Sequence, residues 1–276
     1  MSHVPVLLHE VIEALKPEPG KKFIDATANG GGHTNALREA GAEVLAIELD
    51  PELAKRLGAV NDSYVNIVAI AKEHGFMNCD GVLFDLGFSS WQMEESGRGF
   101  SFMKNEPLDM RYHANEELRM TNEETAEKIL NTWPEEEIAR ILKEYGEERF
   151  DGRIANAIFK ARPLHTTYDL VRAIESVVHR TGKIHPATRT FQALRIEVNH
   201  ELENIEKGLE GAWEVIRPGG KLAVISFHSL EDRIVKNFLK QYTKTKVIRA
   251  AWEEVKTNRR ARSAKLRVVE RTTPAT

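Results

Sequence analysis

Gly30-Gly31-Gly32-His33, Glu48 and the stretch Asp85-Leu86-Gly87-Phe88-Ser89-Ser90 are the residues of this chain whose types and order suit chemistry on a small ligand. Glycine carries no Cβ, so three in a row let the backbone turn sharply and come close to a bound molecule. A carboxylate about 20 residues further on, here Glu48, can accept both hydroxyls of a ribose. Asp85, Ser89 and Ser90 add acceptors and hydroxyls at a third place. Together they point to an adenosine-bearing ligand, although the G-x-G-x-x-G spacing is absent and a glycine cluster alone also occurs in ordinary strand-to-helix turns.

These residues need elements that bring them to one place. Lys22 to Ala26, Val44 to Ile47 and Gly81 to Phe84 are apolar runs of strand length, and each ends in one of the polar groups. In an open parallel sheet, ligands bind outside the carboxyl ends of the strands. Thr34 to Ala40 and Pro51 to Leu57 read as the connecting helices, the second with Pro in its first turn. Tyr64 to Ile70 reads as a further strand. The alternation of strand and helix over the first hundred residues is that of a doubly wound sheet.

From Tyr112 to Pro186 the pattern changes to short helices with start signals: Thr121 with Glu124, Pro134, and Thr166 or Thr167 ahead of Leu170, Val171, Ile174, Val177 and Val178. The α/β pattern then returns. Phe191, Leu194, Val198, Leu202, Ile205, Leu209 and Ile216 recur at helical spacing and predict one long helix stopped by Pro218-Gly219-Gly220. Lys221 to Phe227 follows as a strand, and Leu266 to Val269 as a late edge strand. The expectation is a discontinuous domain, residues 1–111 and 187–276, with a small all-helical insert at 112–186.

The chain has 276 residues, 41% hydrophobic and 29% charged, as in a globular protein. No run of 18 apolar residues appears and the N-terminus lacks a signal pattern, so a cytoplasmic protein with no membrane partner is expected. A single cysteine, Cys79, excludes an internal disulfide and a CxxC zinc site, and no metal is expected. Net charge is −3 but uneven. From Lys240 onward eleven Lys and Arg face three Glu, a balance of 11 − 3 = +8; from Glu116 to Arg149 eleven Glu face five Lys and Arg, a balance of −6. Such asymmetry suggests that one surface meets a polyanion, although charge runs also occur on solvated faces.

An adenosine site on this sheet leaves two enzyme readings, a nicotinamide-dependent oxidoreductase and an S-adenosylmethionine-dependent methyltransferase. A dehydrogenase would pack two mononucleotide units around a pyrophosphate. Here the polar turn from Asp85 to Ser90 stands where the methionine end of a methyl donor would lie. Asp85, Ser89 and Ser90 could accept hydrogen bonds from an acceptor amine and take up its developing positive charge.

Several blocks go further: Pro5-Val6-Leu7-Leu8 after His3, Gly30-Gly31-Gly32-His33, Asp85-Leu86-Gly87 with Ser89-Ser90, Arg98-Gly99-Phe100-Ser101-Phe102, Leu108-Asp109-Met110-Arg111, and Tyr145 to Phe150. His185 to Arg195, Ser226 to Arg233 and Arg260 to Arg267 continue the series. In this order they resemble the RsmH (formerly MraW) family of bacterial 16S ribosomal RNA cytosine-N4 methyltransferases. The resemblance implies a class I, Rossmann-like methyltransferase sheet with a helical insert for substrate recognition. It also implies S-adenosyl-L-methionine as donor and, as acceptor, the exocyclic amine of a cytidine in the decoding region of 16S rRNA within the small ribosomal subunit. The catalytic role of Asp85, Ser89 and Ser90 comes from the amine chemistry. Carried over by position, the resemblance places Gly31, Gly32 and His33 at the cofactor with Gly30 of the same turn, Glu48 where the family usually has Asp, and Asp85 and Gln92 beside the methionine and adenosine. A homodimer is compatible with it. The chain departs from the family at Ala28-Asn29, where the turn usually begins Leu-Gly, in the short stretch between Glu48 and Asp85, in the shortened segment between Tyr242 and Asn258, and at Lys72, aligned with a phenylalanine near the adenine. Lys72 and the shortened segments motivate the remaining alternative, an assembly factor that binds RNA without catalysis.

Phe88, Trp91, Phe100 and Phe102 are candidates to stack on a flipped base, or are core residues. Arg98, Arg111, Arg189, Arg195 and Arg233 are candidate RNA contacts, or ion-pair partners of nearby acids. His228-Ser229 lacks the G-x-S-x-G elbow of a hydrolase and is better suited to lining the acceptor pocket.

Overall fold

The computed structural model describes residues 5–87, 93, 95–112, 124–179 and 184–272. The chain divides into two compact units, Met1–Ser89 with Leu202–Thr276, and Ser90–Glu201.

The first unit is built on a six-stranded sheet in the order β3-β2-β1-β4-β5-β6. Its strands are β1 (Lys22–Asp25), β2 (Glu43–Glu48), β3 (Val60–Asn61), β4 (Cys79–Asp85), β5 (Ile216–Ser226) and β6 (Lys265–Glu270). β1 to β5 pair in parallel and β6 runs antiparallel along β5. The central strands are unbroken apolar runs because both faces are covered. Successive side chains point to opposite faces. Ile24, Val82, Phe84, Leu222 and Val224 therefore join a core with Ile67, Ile70, Leu209 and Val235. Phe23, Leu83, Ala223 and Ile225 join the other, with Val11, Leu15, Leu37 and Leu266. Cys79 lies at the start of β4 with its thiol free, buried and pushed up to about 12 by that burial.

Helix α1 (Leu8–Leu15) precedes β1, and α2 (Gly32–Glu39) and α3 (Pro51–Leu57) connect the first strands. Asp50 caps α3, its Oδ1 accepting from the backbone N–H groups of Glu52 and Leu53. The stretch Tyr64 to Ile70 corrects the sequence expectation of a strand. It forms a 3-10 turn, Tyr64–Asn66, and the start of α4 (Ile67–Glu73), while the strand is only the two residues of β3. Ile67, Ile70 and Ala71 are spaced for one helix face, and that face enters the core.

The second unit is helical: α5 (Ala126–Thr132), α6 (Glu135–Glu144), α7 (Asp151–Ala161), α8 (Thr167–Glu175) and α9 (Ala187–Asn199). Thr166 starts α8 with a capping box to Asp169. The expected Thr121 start lies outside the described residues. This unit is wider than the 112–186 read from the sequence, because backbone pairing ties the preceding segment into it. Leu108 N–H donates to His165 O, Thr167 N–H to Glu106 O and Ala126 N–H to Asp109 O. On the other side α9 carries Phe191, which packs edge-on against Phe102.

The long helix expected through Phe191 and Ile216 is two. His200 adopts φ 48° and ends α9, and α10 (Glu201–Val215) follows at once. The Asn199 side chain fixes the break by donating to Met110 O and Arg195 O. Ile216 already pairs with Cys79, so Pro218-Gly219-Gly220 forms an irregularity inside β5 rather than a helix stop. α11 (Ser229–Lys240) and α12 (Trp252–Thr257) complete the first unit.

Candidate functional site

Three adjacent strands, β2, β1 and β4, end at Glu48, Asp25 and Asp85, and all three carboxyl groups are buried. Asn29 joins them. Its backbone N–H donates to Glu48 Oε2 at 2.7 Å, and its side-chain Nδ2 donates to the backbone oxygen of Asp85 at 3.2 Å. The glycine turn after β1 thus spans the ends of both flanking strands. Asn29 does this at φ 48°, in the left-handed region that Asn tolerates better than most residues. That explains how the turn keeps its path at the position where the related family usually has Gly.

Thr27 ties the same turn to β4 by accepting the Asp85 backbone N–H at 2.6 Å. Beneath it, Thr34 donates its hydroxyl to Asp25 Oδ2 at 2.6 Å, and Thr27 N–H approaches Asp25 Oδ1 at 3.3 Å. Burial still raises the Asp25 carboxyl above its usual range, against the pull of Thr34 and His33. Asp25 thus anchors the turn from below. Gly31 sits at φ 78° and caps α2, and an added Cβ on Gly32 would meet the Pro5 ring at 2.8 Å. Only a glycine allows that approach.

The two oxygens of Glu48 are held differently: Oε2 by Asn29 and Oε1 by the backbone N–H of Asp50 at 2.9 Å. Each oxygen keeps a lone pair for a further donor. Burial pushes this carboxyl up to about 7, in spite of both hydrogen bonds.

Asp85 is pushed up to about 6 by burial, against the opposing charges of His33 and Arg260. Its Oδ1 is buried and has no hydrogen-bond partner among the described residues. Orphaned buried acceptors are costly, and such an atom marks a place for a ligand donor. His33 is itself buried. Its Nε2 lies 3.0 Å from Val6 O and must carry the hydrogen, because a carbonyl only accepts; Nδ1 then faces Asp85 Oδ2 at 3.7 Å. That contact is too long for a hydrogen bond, so His33 lies beside Asp85 without holding it.

Glycines that admit close approach, a carboxylate with spare acceptors at the second strand end and an orphaned acceptor at the fourth fit a nucleoside with donor groups at both ends. A sequence profile described as the MraW methylase family matches residues 1–272. The chain belongs to that family. It is therefore a methyltransferase, and the oxidoreductase alternative falls away. The ribosomal RNA small subunit methyltransferase H of Deinococcus deserti is 46% identical over 98% of this chain and 93% of its own length. That of Thermosipho melanesiensis is 45% identical over 98% of this chain and 97% of its own. Among solved structures, a methyltransferase from Streptococcus mutans in complex with SAH aligns with 97% of this chain and 99% of its own, at TM-score 0.44 and 11% identity.

Of the residues singled out in the sequence, Gly30, Gly31, Gly32, His33, Glu48 and Asp85 lie in the first unit at these strand ends. Ser89, Ser90 and Gln92, with Phe88 and Trp91, lie outside the described residues. Lys72 does not belong to the site. α4 runs back from the end of β3 toward the start of β4, and Lys72 sits exposed in its last turn, at the opposite end of the sheet. Lys72 therefore no longer favours an inactive assembly factor.

Other candidates have structural work. Phe100 stacks on Tyr112 at 5.5 Å and Phe102 on His185 at 4.6 Å, both inside the helical unit. Arg111 pairs with Asp109 at 2.6 Å and Arg195 with Glu201 at 2.7 Å, while Arg189 donates to Glu147 O. Arg98 donates to Tyr112 O. His228 caps α11, its Nδ1 accepting from Glu231 N–H, with Glu231 reaching back to the His228 and Phe227 N–H groups. Asp25, Thr27 and Asn29 are site residues that sequence reasoning misses. The Asp-x-Thr-x-Asn spacing after the first strand is the available signal.

Proposed function

We propose that this chain methylates the exocyclic N4 amine of a cytidine in the decoding region of 16S ribosomal RNA, with S-adenosyl-L-methionine as donor. The observation that carries the reading is Asn29 holding both the Glu48 carboxylate and the end of β4, so that one nucleoside can be gripped between two strand ends. The names of the relatives add the ribosomal RNA of the small subunit.

When bound, the donor supplies a methyl group on a positively charged sulfur. Glu48 is assigned the ribose hydroxyls, through the lone pairs that Asn29 and Asp50 leave free. Gly30, Gly31 and Gly32 let the backbone pass close beside the ligand, and His33 is assigned to the cofactor beside the Asp85 carboxyl. Gln92 is assigned to the adenosine end, as the family resemblance implies.

A cytosine amine is a poor nucleophile because its lone pair is delocalised into the ring. Acceptors around it favour a pyramidal nitrogen and take up the positive charge that develops. Asp85, Ser89 and Ser90 are assigned this role, and the Asp85 Oδ1 acceptor is the atom available for an amine proton. Aligning nitrogen and methyl carbon is the main remaining contribution to rate. The helical unit is assigned to recognition of the RNA around the target.

The test is incubation of the protein with isotopically labelled donor and small ribosomal subunits lacking the modification, followed by nucleoside analysis. Label in N4-methylcytidine is expected. Label on another atom, or on none, overturns the reading.

A further inference from the structure

The eleven Lys and Arg from Lys240 onward do not share one purpose. Lys265 and Arg267 both pair with Asp232 at 2.8 Å, and Arg271 donates to the backbone oxygens of Glu214 and Ile216. Those three hold the edge strand in place. Lys244, Lys246, Arg249, Lys256, Arg259 and Arg262 are different: all are exposed, and none enters an ion pair among the described residues. Repulsion among so many unpaired cations is unfavourable unless a polyanion meets them.

The fold gathers these cations along one margin of the first unit. Ile248 pairs with Leu266 in an antiparallel bridge, which lays the segment bearing Lys246 and Arg249 beside β6. The 3-10 turn Arg259–Arg262 packs with α12 and leads directly into β6. Trp252, the first residue of α12, is 66% exposed, and the Lys256 ammonium lies 5.4 Å from its ring centroid. An aromatic face that open costs solvation free energy, and flanked by cations it is the arrangement on which a nucleobase stacks. The same turn is near the reaction site, since β6 begins at Lys265 opposite Ser226, and the preceding residue of β5, Ile225, pairs with Asp85.

We infer that Lys246, Arg249, Lys256, Arg259 and Arg262, with Trp252 as a stacking platform, form a track for the backbone of single-stranded ribosomal RNA leading toward Asp85. The inference rests on the proposed function and adds to it a binding surface on the methyltransferase unit itself, outside the helical insert. The cations contact phosphates, which contributes affinity without sequence preference. Trp252 holds one unpaired base beside them.

The experiment uses the full chain, an unstructured oligoribonucleotide in a fluorescence anisotropy titration over a range of salt, and unmodified small subunits in a methyl-transfer assay. The variant Lys246→Gln/Arg249→Gln/Arg259→Gln/Arg262→Gln changes only exposed side chains. Each cation removed from a phosphate should lower the slope of log affinity against log salt by about 0.7, or about 2.8 for all four. The advantage of the unaltered protein should then shrink by about fiftyfold between 50 and 200 mM salt. Trp252→Ala should weaken the oligoribonucleotide about tenfold with little change in slope. Lys72→Gln, at the opposite end of the sheet, should change neither. KM for subunits should rise in the fourfold variant while donor affinity and thermal midpoint stay as they are. An unchanged slope and KM in the fourfold variant, or an equal effect per charge in Lys72→Gln, would overturn the inference. Transfer by the unaltered protein reports on the functional reading separately, so failure of the track and failure of that reading are told apart.

Discussion

Substituting Glu48 by Gln isolates the charge on the carboxylate assigned to the ribose. In the folded protein this group is pushed from 4.5 up to about 7 by burial, a difference equivalent to roughly 3 kcal/mol. Between those two values the folded state keeps a proton that the unfolded chain has released. Stability is therefore highest below the unfolded value, falls as the pH rises through the window, and carries its full deficit above about pH 7. A Gln side chain does not ionise, so the deficit disappears. Its amide N–H must face either the Asn29 or the Asp50 N–H, which adds a pH-independent cost of about 1–3 kcal/mol. Urea unfolding of both proteins from about pH 4 to about pH 8 separates the two effects. Relative to the Glu48→Gln variant, the unaltered protein should lose roughly 3 kcal/mol across the range. A difference that stays flat, or that grows in favour of the unaltered protein as the pH rises, would refute the reasoning.

Asn29→Gly keeps the left-handed backbone and removes only the side-chain bond to Asp85, so urea unfolding should show a decrease of about 1 kcal/mol; Asn29→Ala should lose roughly 1–2 kcal/mol more from backbone strain. Thr34→Val removes the hydroxyl that donates to the buried Asp25 carboxylate and should cost about 1.5–3 kcal/mol by the same measurement. Asp232→Ala leaves the guanidinium of Arg267, only 6% exposed, without its partner, and should cost about 3–5 kcal/mol in chemical unfolding. Burial pulls the Asp232 carboxyl upward, but the hydrogen bonds from Arg267 and Lys265 outweigh it and leave it below its usual value. The stability it contributes is thus present above the unfolded value and is lost as the pH falls through the folded one.

Strands buried on both faces announce themselves, and β1, β2 and β4 are legible for that reason. Their polar ends mark Glu48 and Asp85 as strand-end residues before any geometry is known, and the fold sets them on β2 and β4, one on each side of β1. Tyr64 to Ile70 misleads because a short apolar run suits a buried strand and a buried helix face equally well. The break at His200 is invisible because apolar spacing continues across it, and one of the two bonds Asn199 donates to fix it goes to Met110 O, far away in sequence. Asn29 escapes notice for a related reason. The family resemblance marks it as a tolerated departure from Gly, whereas its importance lies in two partners that only the fold brings within reach. Lys72 is misplaced for another reason: alignment with a family phenylalanine sets it near the adenine, whereas α4 carries it to the opposite end of the sheet.

The most direct test of the central claim is calorimetric titration of S-adenosyl-L-methionine into the unaltered protein and into Glu48→Ala and Asp85→Ala. Each substitution removes acceptors for donor groups and should weaken binding by about ten- to a hundredfold, with the folded state intact by circular dichroism. Undiminished affinity in both variants would contradict the placement of the methyl donor between these strand ends.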